Sequence, residues 1–456
     1  MRAKFVLIGF LSAFLGSSAM AETASRHAFD LWLEAFNAAD AAKLTAFWKV
    51  YNPAWTHVER ELHVRKESGG FTLAKIISDD GTKLEAVVAD AGETFLGITL
   101  KMKSVDPPAI EDISIHGAAT SKDIVSRFAN DTDLTAALRN KADSLAASDQ
   151  FSGTVLLAHN GKILLNEAWG LADREHNKKA TLDTQFRIGS MNKMFTAIAA
   201  LQLVQQGKLS LDRSIADYWP DYPNQDLAKR VNLRDLLDNT GGTGDIFTNQ
   251  YNEHRLEIRT LNDYVKLYGR RDVEFQPGSQ FRYSNYGFLL LGALVEKVSG
   301  ISYYEYVREY IFKPAGMTHT DSLPEAEDVP KRAVGYLPGK SGWEPNTDTL
   351  PWRGTPAGGG YSTVDDLFLF AQALNSGKLI SPKLFEQATA EQFSGSHYGF
   401  GFQVDENYFG HSGAAPGING ELRIYPEPRY VIVVLSNLEP PAAMRLAAFG
   451  GHRLPL

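Results

Sequence analysis

The sequence predicts an α+β protein in two parts, and three observations carry that prediction. Helical periodicity opens the chain and turns into strand alternation from Leu84 onward. A second helix followed by a hairpin pattern begins near Leu134, and two strand patterns return only after a long helical middle. Strands from both ends of the second part therefore flank its helices, as one discontinuous sheet carrying helices requires. The 456 residues suffice for two or three domains with a sizeable core.

In chain order, Arg2 and Lys4 precede an apolar stretch over residues 5–15 that ends in the small residues Ala19-Met20-Ala21. A basic start, a short apolar middle and an A-x-A end predict a signal peptide over 1–21, cleaved after Ala21, and export to a periplasm or the medium. The apolar run falls short of the ~20 residues a membrane span needs, so no stable span is expected after its removal. Phe29, Trp32, Leu33 and Phe36 then mark one helix face, and Asp40 caps a second helix with Leu44, Phe47 and Trp48. Leu84, Ala86 and Val88 share a strand face, as do Leu96, Ile98, Leu100 and Met102, with Asp80-Gly81 as a hairpin turn. These make an accessory domain over 22–117, in which His57 and His63 read as surface or packing residues.

Pro107-Pro108 and the polar stretch 118–123 predict a linker, placed at 118–132. The domain over 133–456 opens with a helix carrying Leu134, Leu138 and Leu145, then a hairpin of Gly153-Thr-Val-Leu-Leu-Ala, Asn160-Gly161 and Lys162-Ile-Leu-Leu-Asn. It closes with strand patterns over 420–425 and 430–435.

Composition narrows the chemistry. There is no cysteine, which removes disulfides, a thiol nucleophile, a thiolate zinc site and a lipoprotein anchor. The formal charge of −8, with no basic run, leaves no footprint for nucleic acid. No H-x-x-x-H or similar cluster exists, so neither a metal nor another cofactor is expected.

Three segments carry chemistry. In Phe186-Arg-Ile-Gly-Ser190-Met-Asn-Lys193, Ser190 and Lys193 are three apart at a helix start, so hydroxyl and amine share a face. A serine hydroxyl needs a neighbouring base, and a lysine serves as one only if its pKa is depressed. Phe281-Arg-Tyr283-Ser-Asn285-Tyr-Gly offers a phenol and an amide two residues apart at the start of an apolar helix. Phe409-Gly-His411-Ser412-Gly413-Ala414 lies just before the final strand pair. Read alone, Gly410-His-Ser412-Gly-Ala414 is also a degenerate nucleophile elbow, but no Asp follows it.

The order S-x-x-K, Y-x-N, H-x-G resembles the serine β-lactamase and penicillin-binding-protein superfamily, closest to its class C-like branch of DD-peptidases, D-aminopeptidases and esterases. The stretches Leu209-Ser-Leu-Asp, Leu233-Arg-Asp-Leu-Leu and Thr355-Pro-Ala-Gly-Gly-Gly-Tyr-Ser support it. The N-terminal pattern resembles the nuclear-transport-factor-2-like, cystatin-like domains. The resemblance implies an αβα sandwich with an antiparallel sheet and an all-helical subdomain. It also implies roles: Ser190 as nucleophile, Lys193 and Tyr283 sharing the proton work with the primary base left open, Asn285, His411 and Gly413 at the substrate, and the backbone N–H groups of Ser190 and Ala414 as oxyanion hole.

Two departures bear on specificity. The β-lactamases carry Lys-Thr-Gly where this chain has His411-Ser412-Gly413, and a neutral histidine attracts a substrate carboxylate less. Relatives commonly show His-Thr-Ser-Gly where this chain has Asn239-Thr240-Gly241-Gly242. The class A motif E-x-x-L-N is missing, since Glu257 to Asn262 is one residue too long. The expectation is an exported serine hydrolase acting on a small-molecule or short-peptide ester or amide. A penicillin-binding or sensor module without turnover and a true class C β-lactamase are the alternatives.

Overall fold

A computed structural model describes residues 23–90, 95–117, 124–340 and 342–455. The stretch 1–21, read from the sequence as a signal peptide, and the polar stretch 118–123 lie outside the described residues. The chain divides into two compact units, Met1–Ile124 and Val125–Leu456.

In the first unit, helices α1 (Ala24–Asn37), α2 (Ala41–Tyr51) and α3 (Val58–Ser68) precede an antiparallel meander. Its strands are β1 (Phe71–Asp79), β2 (Lys83–Asp90), β3 (Phe95–Val105) and β4 (Pro108–Gly117). Thr23 and Asp40 cap α1 and α2 through their side chains. Phe29, Trp32 and Phe36 of α1 pack on Leu84, Ala86 and Val88 of β2 and on Ile98 and Leu100 of β3 in one core.

Two features depart from the sequence reading. Pro107-Pro108 is not part of a linker: it closes the β3–β4 hairpin, with Val105 paired to Pro108, at a position where the ladder needs no proline N–H. Helix α3 was not legible, because its sequence VERELHVRKES is mostly charged. It docks through the buried Glu61, whose carboxylate accepts indole N–H bonds from Trp32 (3.0 Å), Trp48 (2.8 Å) and Trp55 (2.6 Å). Burial raises the pKa of that carboxyl against the lowering pull of the three indoles.

The second unit is built on a six-stranded antiparallel sheet. After α4 (Asp131–Ala147) come β5 (Gly153–His159) and β6 (Lys162–Trp169), while β7 (Gln403–Val404), β8 (Phe409–Ala415), β9 (Ile418–Ile424) and β10 (Tyr430–Ser436) come from the far end of the chain. The order β7-β8-β9-β10-β5-β6 joins the two ends through the β10–β5 pair, in which Val433 faces Leu156. Side chains alternate across the sheet. Leu156, Leu422, Val433 and Leu435 point into the large helical core, whereas Val155, Leu157, Ile432 and Val434 pack with α4 and the last helix, α8 (Ala442–Gly451). Both faces are covered, which makes this unit an αβα sandwich.

The longest helices of the larger layer are α5 (Asn192–Gln205), α6 (Asn285–Ser299) and α7 (Val364–Asn375). Helix α5 is apolar all round and buried on every side through most of its length. Among the described residues no helix is long and apolar enough to cross a membrane.

Candidate active site

Ser190 sits in a single 3-10 turn, Gly189–Met191, that runs directly into α5. The hydroxyl therefore stands at the N-terminus of a buried helix, where the macrodipole favours negative charge. One turn on, Lys193 is fully buried, and its ammonium lies 3.4 Å from Ser190 Oγ. Lys193 also donates to Asn285 Oδ1 at 2.7 Å and to the backbone carbonyl of Ala357, and it lies 4.5 Å from the centroid of the Tyr283 ring. Burial lowers its pKa to about 7, against the opposing charge of Asp245.

Tyr283 and Asn285 bracket Ser284, the N-cap of α6, whose Oγ accepts from Gly287 N at 2.9 Å. The loop over 239–245 holds this cap. Asn239, left-handed at φ 61°, accepts Ser284 N–H at 3.0 Å, and Ser284 Oγ donates to the Gly244 carbonyl at 2.5 Å. Asparagine is among the few residues that tolerate that backbone conformation. From the same loop, both oxygens of Asp245 accept from Asn285 Nδ2 at 3.1 Å. Asp245, Asn285 and Lys193 thus form a relay of contacts ending at Ser190. Burial raises the Tyr283 phenol well above its ordinary value, and a hydrogen bond with Ser190 only partly offsets this.

The third motif, placed by the sequence just before the strand pair, is itself a strand, β8. Its glycines let it pass close to the Ser190 turn: a Cβ on Gly413 would lie 1.9 Å from the Ile188 carbonyl oxygen, and one on Gly189 would lie 3.3 Å from Ala414 N. The backbones of Ser190 and Ala414 meet there at the wall of a cavity of about 640 Å³ that Asn285 and Gly358 also line. Ser412 sits in mid-strand, where its hydroxyl and N–H are engaged by the Gln403 amide at 3.1 and 2.9 Å. That is not the strand-to-helix turn of a nucleophile elbow.

His411 points away from this cavity. Its Nδ1 donates to the Ser412 carbonyl at 2.6 Å, which fixes Nε2 as the acceptor of the buried Tyr398 hydroxyl at 3.0 Å. Burial first, and the charge of Lys193 second, lower its pKa to about 3, so the ring is neutral. Its ring stands 6.3 Å from that of Tyr283. Glu257, by contrast, is exposed and pairs with His254 at 3.0 Å.

Sequence reasoning missed two contributors, Asp245 and Tyr398, and marked the Ala357 carbonyl only as part of the Thr355-Pro-Ala-Gly stretch. That loop is tied to α5 by Asn192 Nδ2 donating to Thr355 O at 2.6 Å and Thr196 Oγ1 to Pro356 O at 2.7 Å. Asp245 carried a fainter signal, as the one carboxylate in a glycine-rich loop. Among the described residues no group of three or more His, Asp or Glu is arranged to hold a metal ion.

This fold and this Ser/Lys/Tyr arrangement define the class of serine hydrolases built on an αβα sandwich. Residues 138–453 match the family described as Beta-lactamase, and the chain belongs to that family. It is 31% identical over 338 residues to PbpX of Bacillus subtilis (strain 168), a protein named for penicillin binding, covering 73% of this chain and 83% of that one. The crystal structure of a penicillin binding protein from Bacillus halodurans superposes with a TM-score of 0.61 at 29% identity, over 67% of this chain and 98% of that one. The D-amino acid amidase of Ochrobactrum anthropi shares the fold, with a TM-score of 0.60 at 24% identity over 70% and 98%.

Proposed function

We propose that the chain is an exported serine hydrolase that turns over an ester, amide or peptide through an acyl-enzyme on Ser190. The observation that carries this reading is the buried Lys193 beside Ser190 Oγ, with its pKa brought to about 7. At that value a large fraction of the amine is neutral at neutral pH and able to take the hydroxyl proton. Tyr283, held as a phenol, is a poor base in the free enzyme; its O–H is placed to hand a proton to the leaving group as Lys193 recharges it. This assigns Lys193 as the primary base and Tyr283 as the relay.

In acylation the Ser190 oxygen bonds to the substrate carbonyl carbon, its proton passes to Lys193, and the carbonyl oxygen takes negative charge facing the N–H groups of Ser190 and Ala414. Each such donor is worth about 3 kcal/mol in the transition state. The bond to the leaving group then breaks as a proton is delivered through Tyr283. Water repeats the sequence on the acyl-enzyme, giving the free acid and restoring Ser190. Asn285 orients Lys193, and His411 supports Tyr283 through Tyr398. A neutral, buried His411 offers no fixed cation to a substrate carboxylate, which disfavours efficient β-lactam hydrolysis. The same reading takes 1–21 as a removed leader, 22–117 as an accessory domain, 118–132 as a linker and 133–456 as the hydrolase.

The test is steady-state turnover of p-nitrophenyl esters by the mature protein. Ser190→Ala and Lys193→Ala are each expected to lower kcat/KM by at least ~10³-fold, since such groups act as a unit. A serine-reactive phosphonate should label Ser190 and not Ser412, read by peptide mass spectrometry. One stoichiometric burst with no further turnover would overturn the hydrolase in favour of a penicillin-binding or sensor module.

A further inference from the structure

We propose that the cavity in front of Ser190 is an acyl pocket selective for bulky, uncharged, apolar acyl groups, with Phe247 at its mouth packing on the far end of the bound chain. The proposal rests on the reading of Ser190 as the nucleophile and names the substrate class that reading leaves open.

The cavity's inner wall is built by Ile246, Tyr251, Tyr264, Leu350 and Ile418, all buried, and it reaches Ser190 and Ala414 at one end. At about 640 Å³ it has the size of a site for a drug-sized ligand, roughly 300–1,000 Å³. It equals the liquid volume of about twenty waters at ~30 Å³ each, so an acetyl group would leave most of it wet. A longer acyl chain expels that water from an apolar surface, and the gain is about fourfold in binding per methylene at the ~0.8 kcal/mol that burying a CH2 gives.

Phe247 is the second observation. It follows the buried Ile246 yet is 65% exposed, the side chain standing edge-on to Tyr251 with ring centroids 5.4 Å apart. A large aromatic ring left in water beside an apolar cavity is an unfilled contact surface. The chain that starts at Ser190 and runs along the inner wall is what reaches it.

None of the buried lining residues is charged: of the two charged ones, Arg255 is half-buried and Asp348 exposed, they are of opposite sign, and the Arg255 guanidinium donates to the Asp348 backbone carbonyl. A charged group held against that buried lining would lose its water without gaining a charged partner there.

The test compares kcat/KM for p-nitrophenyl acetate, butyrate, hexanoate and hemisuccinate, with phosphonate labelling of Ser190 alongside. The expected result is a rise of roughly 15-fold from acetate to butyrate, mostly through KM because the contact is made equally in ground and transition states. Hexanoate should rise further, and hemisuccinate should fall at least about tenfold below butyrate. Phe247→Ala, at an exposed position, should lower the hexanoate-to-acetate ratio by at least about fourfold, with an unchanged thermal melt showing that the fold is kept. Acetate as good as butyrate, hemisuccinate as good as butyrate, or an unaltered ratio in Phe247→Ala overturns the pocket while leaving the hydrolase intact, provided Ser190 labels. No labelling and no turnover of any ester overturns the hydrolase reading and the pocket with it.

Discussion

Lys193 is held between two opposing influences, and their balance makes the residue testable. Burial removes the water that would stabilise its ammonium, while Asp245, reaching it through Asn285, favours the charged form. With the pKa at about 7, kcat/KM is expected to show an acid limb near that pH: below it Lys193 is protonated and cannot accept the Ser190 proton, so activity falls as pH falls. His411, neutral down to about pH 3, does not contribute to that limb. Asp245→Asn removes the carboxylate charge that raises the lysine's pKa, so the limb should move to lower pH even as the maximal rate drops from a loosened Asn285. A pH–rate profile of the variant that moved upward, or stayed still, would contradict the relay. A role of Asp245 in folding alone predicts lower activity with no displacement of the limb.

At the scale of elements, legibility followed from how many faces each element buries. Strand β10 read as a strand because its residues, buried on both faces, leave the nearly continuous apolar run Tyr430-Val-Ile-Val-Val-Leu, and β9 because Leu422 and Ile424 alternate with Glu421 and Arg423. Strand β8 did not, since Phe409-Gly-His-Ser-Gly-Ala-Ala trades side chains for close backbone approach, and α3 did not, since its docking is a carboxylate among indoles rather than an apolar stripe. The Ser190, Lys193, Tyr283 and Asn285 positions were legible because they lie at fixed short spacings beside helix starts. Asp245 and Tyr398 were not, because they reach the site only through tertiary packing. The close approach of β8 gives an element-scale prediction. Gly413→Ala places a Cβ 1.9 Å from the backbone oxygen of Ile188, which no side-chain rotation relieves, so β8 must move away from the Ser190 turn. Because the Ala414 N–H moves with it, kcat should fall by about 10²-fold or more, as for loss of one oxyanion donor. Phosphonate labelling should slow in parallel; full activity in Gly413→Ala would contradict the strand's placement.

On the scale of the whole molecule, each unit has a core of its own, with Trp32, Leu84 and Ile98 in one and the α5–α6 layer with the six-stranded sheet in the other. Units with separate cores are able to unfold separately. Glu61 offers a way to lower one and spare the other, because its carboxylate accepts from the indoles of Trp32 in α1, Trp48 in α2 and Trp55 in the turn before α3. Glu61→Leu leaves three indole N–H groups without that acceptor. An unsatisfied buried donor costs about 1–3 kcal/mol, so the loss should reach at least about 3 kcal/mol. For a unit of roughly 100 residues that corresponds to a fall in Tm of at least about 10 °C. Glu61→Gln keeps one oxygen for Trp48 and Trp55 but turns an amide N–H toward Trp32, so it should cost about a third as much. Scanning calorimetry on the three proteins, with ester turnover followed through the same temperatures, separates the outcomes. The expected record is a low-temperature transition that shifts in the order Leu, Gln, wild type, while Ser190-dependent turnover at 25 °C and its loss on heating stay where they were. If turnover is instead lost together with the shifted transition, the two cores are one cooperative system and the accessory unit is part of the hydrolase.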